Sequence, residues 1–169
     1  MTYFELFDIP VQLKVNTALL SKKFFELSKK YHPDYFANEN EDAQAESLEK
    51  SALLNKAWKT FQNPDATIKY VLQEKGLLEE EEKYELPGEF LMEIMDINEA
   101  LMDADEPAVA ARLQTTIQTL QSTIYAPVKE MVESYQDDTI TEKELLQVKE
   151  YYYKKKYLDR INQQLAGMT

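Results

Sequence analysis

The sequence predicts an all-α protein in two parts, and three observations predict it. Only three glycines and six prolines occur in 169 residues, while Leu, Glu, Lys and Ala, the good helix formers, are abundant. Apolar residues recur at i, i+4, i+7 and i+11 along most of the chain, the period of an amphipathic helix. Charge divides sharply: residues 1–76 hold 10 Lys and 11 Asp/Glu, whereas residues 77–169 hold 9 Lys/Arg and 20 Asp/Glu. Such a shift marks two parts with different jobs. The expected organisation is residues 1–76, an acidic linker at 77–88, and a helical bundle at 89–169.

Composition excludes several chemistries. Without cysteine there is no disulfide, no Cys-based zinc site and no thiol chemistry. His32 is the single histidine, so a multi-His metal site is excluded; an all-carboxylate site stays open, although the acids show no Ca²⁺-loop spacing. The glycines form no phosphate-cradling loop. No metal and no cofactor is therefore expected. A net charge of −12 argues against nucleic acid or an anionic membrane as partner. Met1 to Asp8 carry no basic leader, and no stretch approaches the roughly 20 apolar residues of a membrane span, so a cytosolic protein is expected.

In chain order, Tyr3 to Phe7 form a short aromatic helix that ends before Pro10. Asn16 and Thr17 offer an N-cap. Leu20, Phe24, Leu27 and Tyr31 then make one apolar stripe, with Lys22, Lys23, Lys29 and Lys30 away from it. Only Glu26 interrupts these lysines, so residues 16–31 carry +3 in an acidic chain. Pro33 lacks an N–H, and it pushes His32 out of the helical region. The basic helix must stop there, with His32-Pro33-Asp34 in a loop. A polar loop over 36–44 leads to a third helix, with Leu48, Ser51, Leu54, Trp58 and Phe61 facing inward. Asn63-Pro64-Asp65 stops it and starts a short helix that ends at Gly76.

Residues 77–85 read as a solvated charge run before Pro87-Gly88. From Glu89, Phe90, Ile94, Ile97 and Leu101 form a core stripe. A second apolar set, Leu91, Met92, Met95 and Met102, lies beside it, bordered by Asp96, Glu99 and Asp103. Two readings are open: a helix buried on most sides, or an exposed apolar patch rimmed by acids that docks a partner. Pro107 starts a long helix through Val109, Leu113, Ile117, Leu120, Ile124, Val128, Met131 and Tyr135, with a kink expected at Pro127. Thr141 with Glu144 is a capping box for the last helix. Its core stripe is Val148, Tyr151, Leu158, Ile161 and Leu165. A second stripe carries Lys149, Tyr153, Lys156 and Arg160, with Tyr157 beside it. That stripe is either a solvated basic face paired with the acids of helix 89–103, or a docking surface joined to that helix.

The order of a short first helix, a basic second helix, His32-Pro33-Asp34 and an antiparallel third helix resembles a J-domain. Asn55-Lys56-Ala57-Trp58-Lys59-Thr60-Phe61-Gln62-Asn63-Pro64 is similar to the end of the third J-domain helix. Over essentially the whole chain the sequence resembles the HscB-type J-proteins, with Phe90-Leu91-Met92-Glu93 as the most specific C-terminal match. The resemblance implies a J-domain built on an antiparallel helical hairpin with short flanking helices, then a three-helix bundle. It implies a co-chaperone with no active site of its own, working in iron–sulfur cluster assembly. His32, Pro33 and Asp34, with Lys22, Lys23, Lys29 and Lys30, would contact a DnaK/HscA-type chaperone and stimulate its ATPase. Leu91, Met92, Met95, Asp96, Glu99, Asp103 and Tyr153 would bind an IscU-type scaffold protein, with Tyr157 as the alternative aromatic. Many J-domains carry Lys after the Asp, where this chain has Tyr35. Lacking the N-terminal Cys zinc knuckle of some eukaryotic members, the chain is expected to be the bacterial form. Three other readings compete: a general J-protein delivering unfolded clients, an enzyme using His32 and Asp34, and a helical adaptor in which the tripeptide is a plain turn. For the enzyme, no nucleophile, glycine-rich loop or metal cluster converges on the pair.

Overall fold

A computed structural model describes residues 1–168. The described residues are helices and connecting turns that form two compact units. The first is Met1–Glu74, with Tyr135–Thr139 clustering with it; the second is Lys75–Ser134 and the chain from Ile140 onward. No helix among the described residues is long and apolar enough to cross a membrane.

In the first unit, α1 (Tyr3–Phe7) is held by a reciprocal capping box between Thr2 and Glu5. Phe4 and Phe7 pack on Phe61, and Tyr3 stacks on Tyr70 at 4.2 Å. α2 (Thr17–Lys30) starts where expected, because the Asn16 side chain accepts from the N–H groups of Ala18 and Leu19. A 3-10 turn at Pro33–Phe36 follows, and α3 (Glu41–Phe61) begins at an Asn40 cap, inside the expected loop. α2 and α3 pack on each other, and Phe24 stacks on Trp58 at 4.8 Å. α4 (Pro64–Glu74) ends before Gly76, whose φ of 72° is the left-handed conformation glycine adopts without strain.

One inward position of α3 differs. Leu48 is exposed and Ser47 is buried in its place. The inward row near the start of α3 is hydroxyl-bearing: Ser47 donates to the Gln44 carbonyl at 2.9 Å, and Ser51 to the Tyr31 carbonyl at 2.8 Å. Each hydroxyl finds an acceptor, so its burial costs little.

The second unit is built on α5 (Gly88–Leu101), α6 (Pro107–Tyr125) and α8 (Glu142–Met168). These three helices pack pairwise, with a one-turn α7 (Lys129–Glu133) against α8. Phe90, Ile94, Ile97 and Leu101 of α5 are buried, as are Leu113, Ile117, Leu120 and Ile124 of α6. On α8, Val148, Tyr151, Leu158, Ile161 and Leu165 are buried. Thr141 and Glu144 form the capping box, with the Glu144 N–H donating to Thr141 Oγ1 at 3.1 Å and the Thr141 N–H to the Glu144 carboxylate at 3.1 Å.

Two expectations are corrected. Pro127 breaks the helix instead of kinking it: α6 ends at Tyr125, and α7 restarts at Lys129. Proline offers no N–H, and its ring opposes the carbonyl four residues back. The buried row then resumes as Val128 and Val132, in place of Val128, Met131 and Tyr135. Residues 77–85 are solvated only in part: Glu79, Glu80, Glu81, Lys83 and Glu85 are exposed, but Glu82 and Tyr84 are not. Leu78 and Leu86 are buried, and the segment between them lies on α8.

Candidate functional site

The first region is the end of α2. The Tyr31 N–H closes the helix on the Leu27 carbonyl, and the His32 N–H reaches the Lys29 carbonyl at 3.3 Å. His32 then leaves the helix in an extended conformation, φ −62° and ψ 129°, as a residue before proline must. Pro33 opens the 3-10 turn, and the Tyr35 N–H donates to the His32 carbonyl at 3.1 Å. The Asp34 N–H donates to His32 Nδ1 at 3.2 Å. The imidazole therefore caps its own turn through Nδ1, and its neutral form carries the ring proton on Nε2. The Asp34 carboxylate stands 3.6 Å from Nδ1, and both side chains are solvent-accessible. Ser51, bonded to the Tyr31 carbonyl, ties the loop to α3.

The lysines divide into two kinds. Lys22, Lys29 and Lys30 are exposed on α2. Lys23 is different: its ammonium donates to the carbonyls of Phe7 and Asp8, both at 3.1 Å. It caps the C-terminal end of α1, a position that favours a cation. Lys30 lies over the Tyr31 ring, 5.3 Å from its centroid, beside the loop.

The second region is the outer face of α5. Leu91, Met92, Met95 and Met102 are 40%, 68%, 62% and 84% exposed, so the helix is not buried on most sides. It has a buried stripe and a separate apolar face. Leu91, Met95 and Met102 recur at i, i+4 and i+11, along one line of the helix. Asp96, Glu99 and Asp103 are exposed beside them.

The stripe on α8 splits. Lys149 Nζ pairs with Glu82 Oε2 at 2.9 Å, and the Tyr153 hydroxyl donates to Glu82 Oε1 at 3.1 Å. Tyr84 stacks on the Tyr153 ring at 4.5 Å, with an interplanar angle of 7°. Tyr153 is thus 9% exposed, whereas Tyr157 is 39% exposed, with Arg160 beside its ring. The expected contact aromatic, Tyr153, is occupied within the second unit; Tyr157 is the α8 tyrosine open to solvent. Burial alone would raise the Glu82 carboxyl, but hydrogen bonds from Lys149, the Glu79 N–H and Tyr153 outweigh it and hold the carboxyl below its ordinary value. Burial, then the bond to Glu82, pushes the Tyr153 hydroxyl well above the ordinary tyrosine value.

Among the described residues, no group of three or more His, Asp or Glu side chains is placed to hold a metal ion. Residues 86–166 match the family model of the HSCB C-terminal oligomerisation domain. The crystal structure of the human co-chaperone protein HscB superposes with a TM-score of 0.79 at 29% identity, covering 98% of this chain and 81% of that one. The chaperone HscB from Vibrio cholerae superposes with a TM-score of 0.73 at 25% identity, covering 98% of this chain and 96% of that one.

Proposed function

We propose, for a chain that belongs to the HscB-type J-domain co-chaperones, that its two exposed regions serve two partners at once. The His32-Pro33-Asp34 turn, with Lys22, Lys29 and Lys30, docks on a DnaK/HscA-type chaperone and stimulates its ATPase. The outer face of α5, through Leu91, Met92 and Met95 with Asp96, Glu99 and Asp103, captures an IscU-type iron–sulfur scaffold protein. Tyr157 takes the aromatic part in that contact, because Tyr153 is held by Glu82 and Tyr84. The cation of Lys23 is spent on the end of α1, so its part in docking is secondary. Carrying both contacts on one molecule raises the effective concentration of scaffold at the chaperone. Hydrolysis in the chaperone then clamps the scaffold and promotes cluster transfer. The bacterial cytoplasm is the compartment that goes with this reading.

The observation that carries the proposal is the exposure of Leu91, Met92 and Met95 on α5 and of Met102 at its C-terminal cap, on a helix whose inward face is already filled. That face is what a folded partner needs; the general delivery of unfolded clients, the second reading, does not require acids set beside it.

The test is the ATPase rate of the host's DnaK/HscA-type chaperone, with and without apo scaffold. Wild type is expected to stimulate, and more so with scaffold. His32→Gln should abolish stimulation. A Leu91/Met92/Met95→Ala variant should lose only the scaffold's increment. If wild type stimulates equally with and without scaffold, and the triple variant behaves like it, general client delivery replaces the scaffold assignment.

A further inference from the structure

We propose that Phe25 is the apolar anchor of the chaperone-docking face, set between Lys22 and Lys29 and received by an apolar recess flanked by carboxylates on the ATPase. The proposal rests on the docking reading above and adds a residue to it. Lys22, Phe25 and Lys29 fall on successive turns of α2, at i, i+3 and i+7, and all three are exposed. At a rise of about 1.5 Å per residue, the two ammonium stems leave the helix roughly 10 Å apart along its axis, with the ring between them. Phe25 is 65% exposed, although Phe24 beside it is packed. Its ring meets Phe24 edge-on at 6.0 Å, and Phe24 is stacked on Trp58. The exposed ring thus stands on a packed aromatic layer, which lowers the ordering cost of using it.

A lone exposed apolar residue is ordinary on a protein surface. This one sits in the middle of the basic stripe, on the helix whose last turn leads into His32. The lysines and the ring are suited to different steps. Exposed ammonium groups steer an acidic partner from a distance, and salt screens them. They add little to residence once the complex forms, because solvated ion pairs are worth little. Residence comes from a desolvated, rigid side chain of large area, the kind of residue that dominates interface energetics. Charge selects the occupant. The chain carries −12 overall, so an acidic surface is repelled by most of it and admitted at this face. The exposed apolar face of α5 is bordered by Asp96, Glu99 and Asp103 and would repel the same partner.

The experiment titrates ATPase stimulation against the concentration of full-length wild type, Phe25→Ala, Lys22→Ala/Lys29→Ala and His32→Gln, at several salt concentrations. Phe25→Ala is expected to raise the half-saturating concentration about tenfold, with the same maximal rate and the wild-type salt slope. The double lysine variant should flatten the salt slope. Phe25→Leu should restore most of the affinity, which a folding defect in Phe25→Ala would not allow to be mistaken for docking; circular dichroism checks that each variant is helical. If Phe25→Ala saturates at the wild-type concentration, or lowers only the maximal rate, while His32→Gln abolishes stimulation, the anchor is wrong and the docking reading stands. If wild type gives no stimulation, the docking reading fails and the anchor fails with it.

Discussion

α2 and α5 are both 14 residues long, and each turns one apolar stripe inward, fully buried on α5 and largely half-buried on α2, yet their outer faces are opposites. α2 shows lysines and ends in a tight polar turn; α5 shows a leucine and two methionines, with Met102 at its C-terminal cap, edged by acids. The lysine face acts at a distance and responds to salt, because exposed charges attract through solvent. The methionine face acts only on contact, by removing apolar area from water, and methionine adapts its shape to what it meets. Two helices of equal length thus present faces suited to different kinds of contact, one to fast encounter and one to close fit. In a chain of net charge −12, the lysine face of α2 is a local exception, whereas the apolar face of α5 is edged by more acids.

The largest effect that separates the faces is on scaffold affinity. Truncating Leu91, Met92 and Met95 together to Ala removes about 1 kcal/mol of buried apolar contact per side chain in the complex. Isothermal titration should show roughly a hundredfold weaker scaffold binding, about 1.4 kcal/mol per decade. His32→Gln should bind scaffold like wild type. A triple variant that binds scaffold with wild-type affinity would leave α5 without its assigned role.

Salt sharpens the contrast at a smaller scale. Raising ionic strength from about 0.05 to 0.5 M should slow association with the chaperone several-fold, and change scaffold affinity far less. Within α2, Lys22→Ala should reduce the salt effect. Lys23→Ala should instead lower thermal stability, since its ammonium holds the Phe7 and Asp8 carbonyls. Equal effects of the two substitutions on both readouts would erase the distinction drawn between these lysines.

Much of this was legible in the sequence. The helical period marked every core stripe of α5, α6 and α8 up to Pro127, and the Asn16 and Thr141 caps start their helices where expected. His32-Pro33-Asp34 was readable because proline dictates its backbone locally. Tertiary partners were not readable. Glu82 sits in an acidic run that looks solvated, and only the fold brings Lys149 and Tyr153 to it across about 70 residues of chain. That long-range contact covers Tyr153. Lys23 looked like its neighbour Lys22 for the same reason, since the α1 carbonyls that hold it are distant in sequence. At Pro127 the apolar phase ran on, but the missing hydrogen bond won.

The smallest effect lies in that Glu82 contact. Glu82→Gln should cost about 1 kcal/mol of stability near neutral pH, as a partly buried charged hydrogen-bond network is broken. The sign with pH follows from the lowered carboxyl value. The stabilisation is fully present above the ordinary carboxylate range and fades as pH falls through the lower folded value. Chemical denaturation across that acidic window should show wild type and Glu82→Gln converging. A gap that widens on acidification would contradict the assignment.

The most direct test of two roles joined on one chain is complementation in trans. His32→Gln retains the capture face, and the Leu91/Met92/Met95→Ala variant retains the docking face. Mixed at equal concentration with chaperone and apo scaffold, they should give the stimulation of the triple variant alone, without the scaffold's increment, because neither molecule presents both contacts. If the mixture recovers the full wild-type rate, the two faces work as separate parts, and delivery by a single molecule is contradicted.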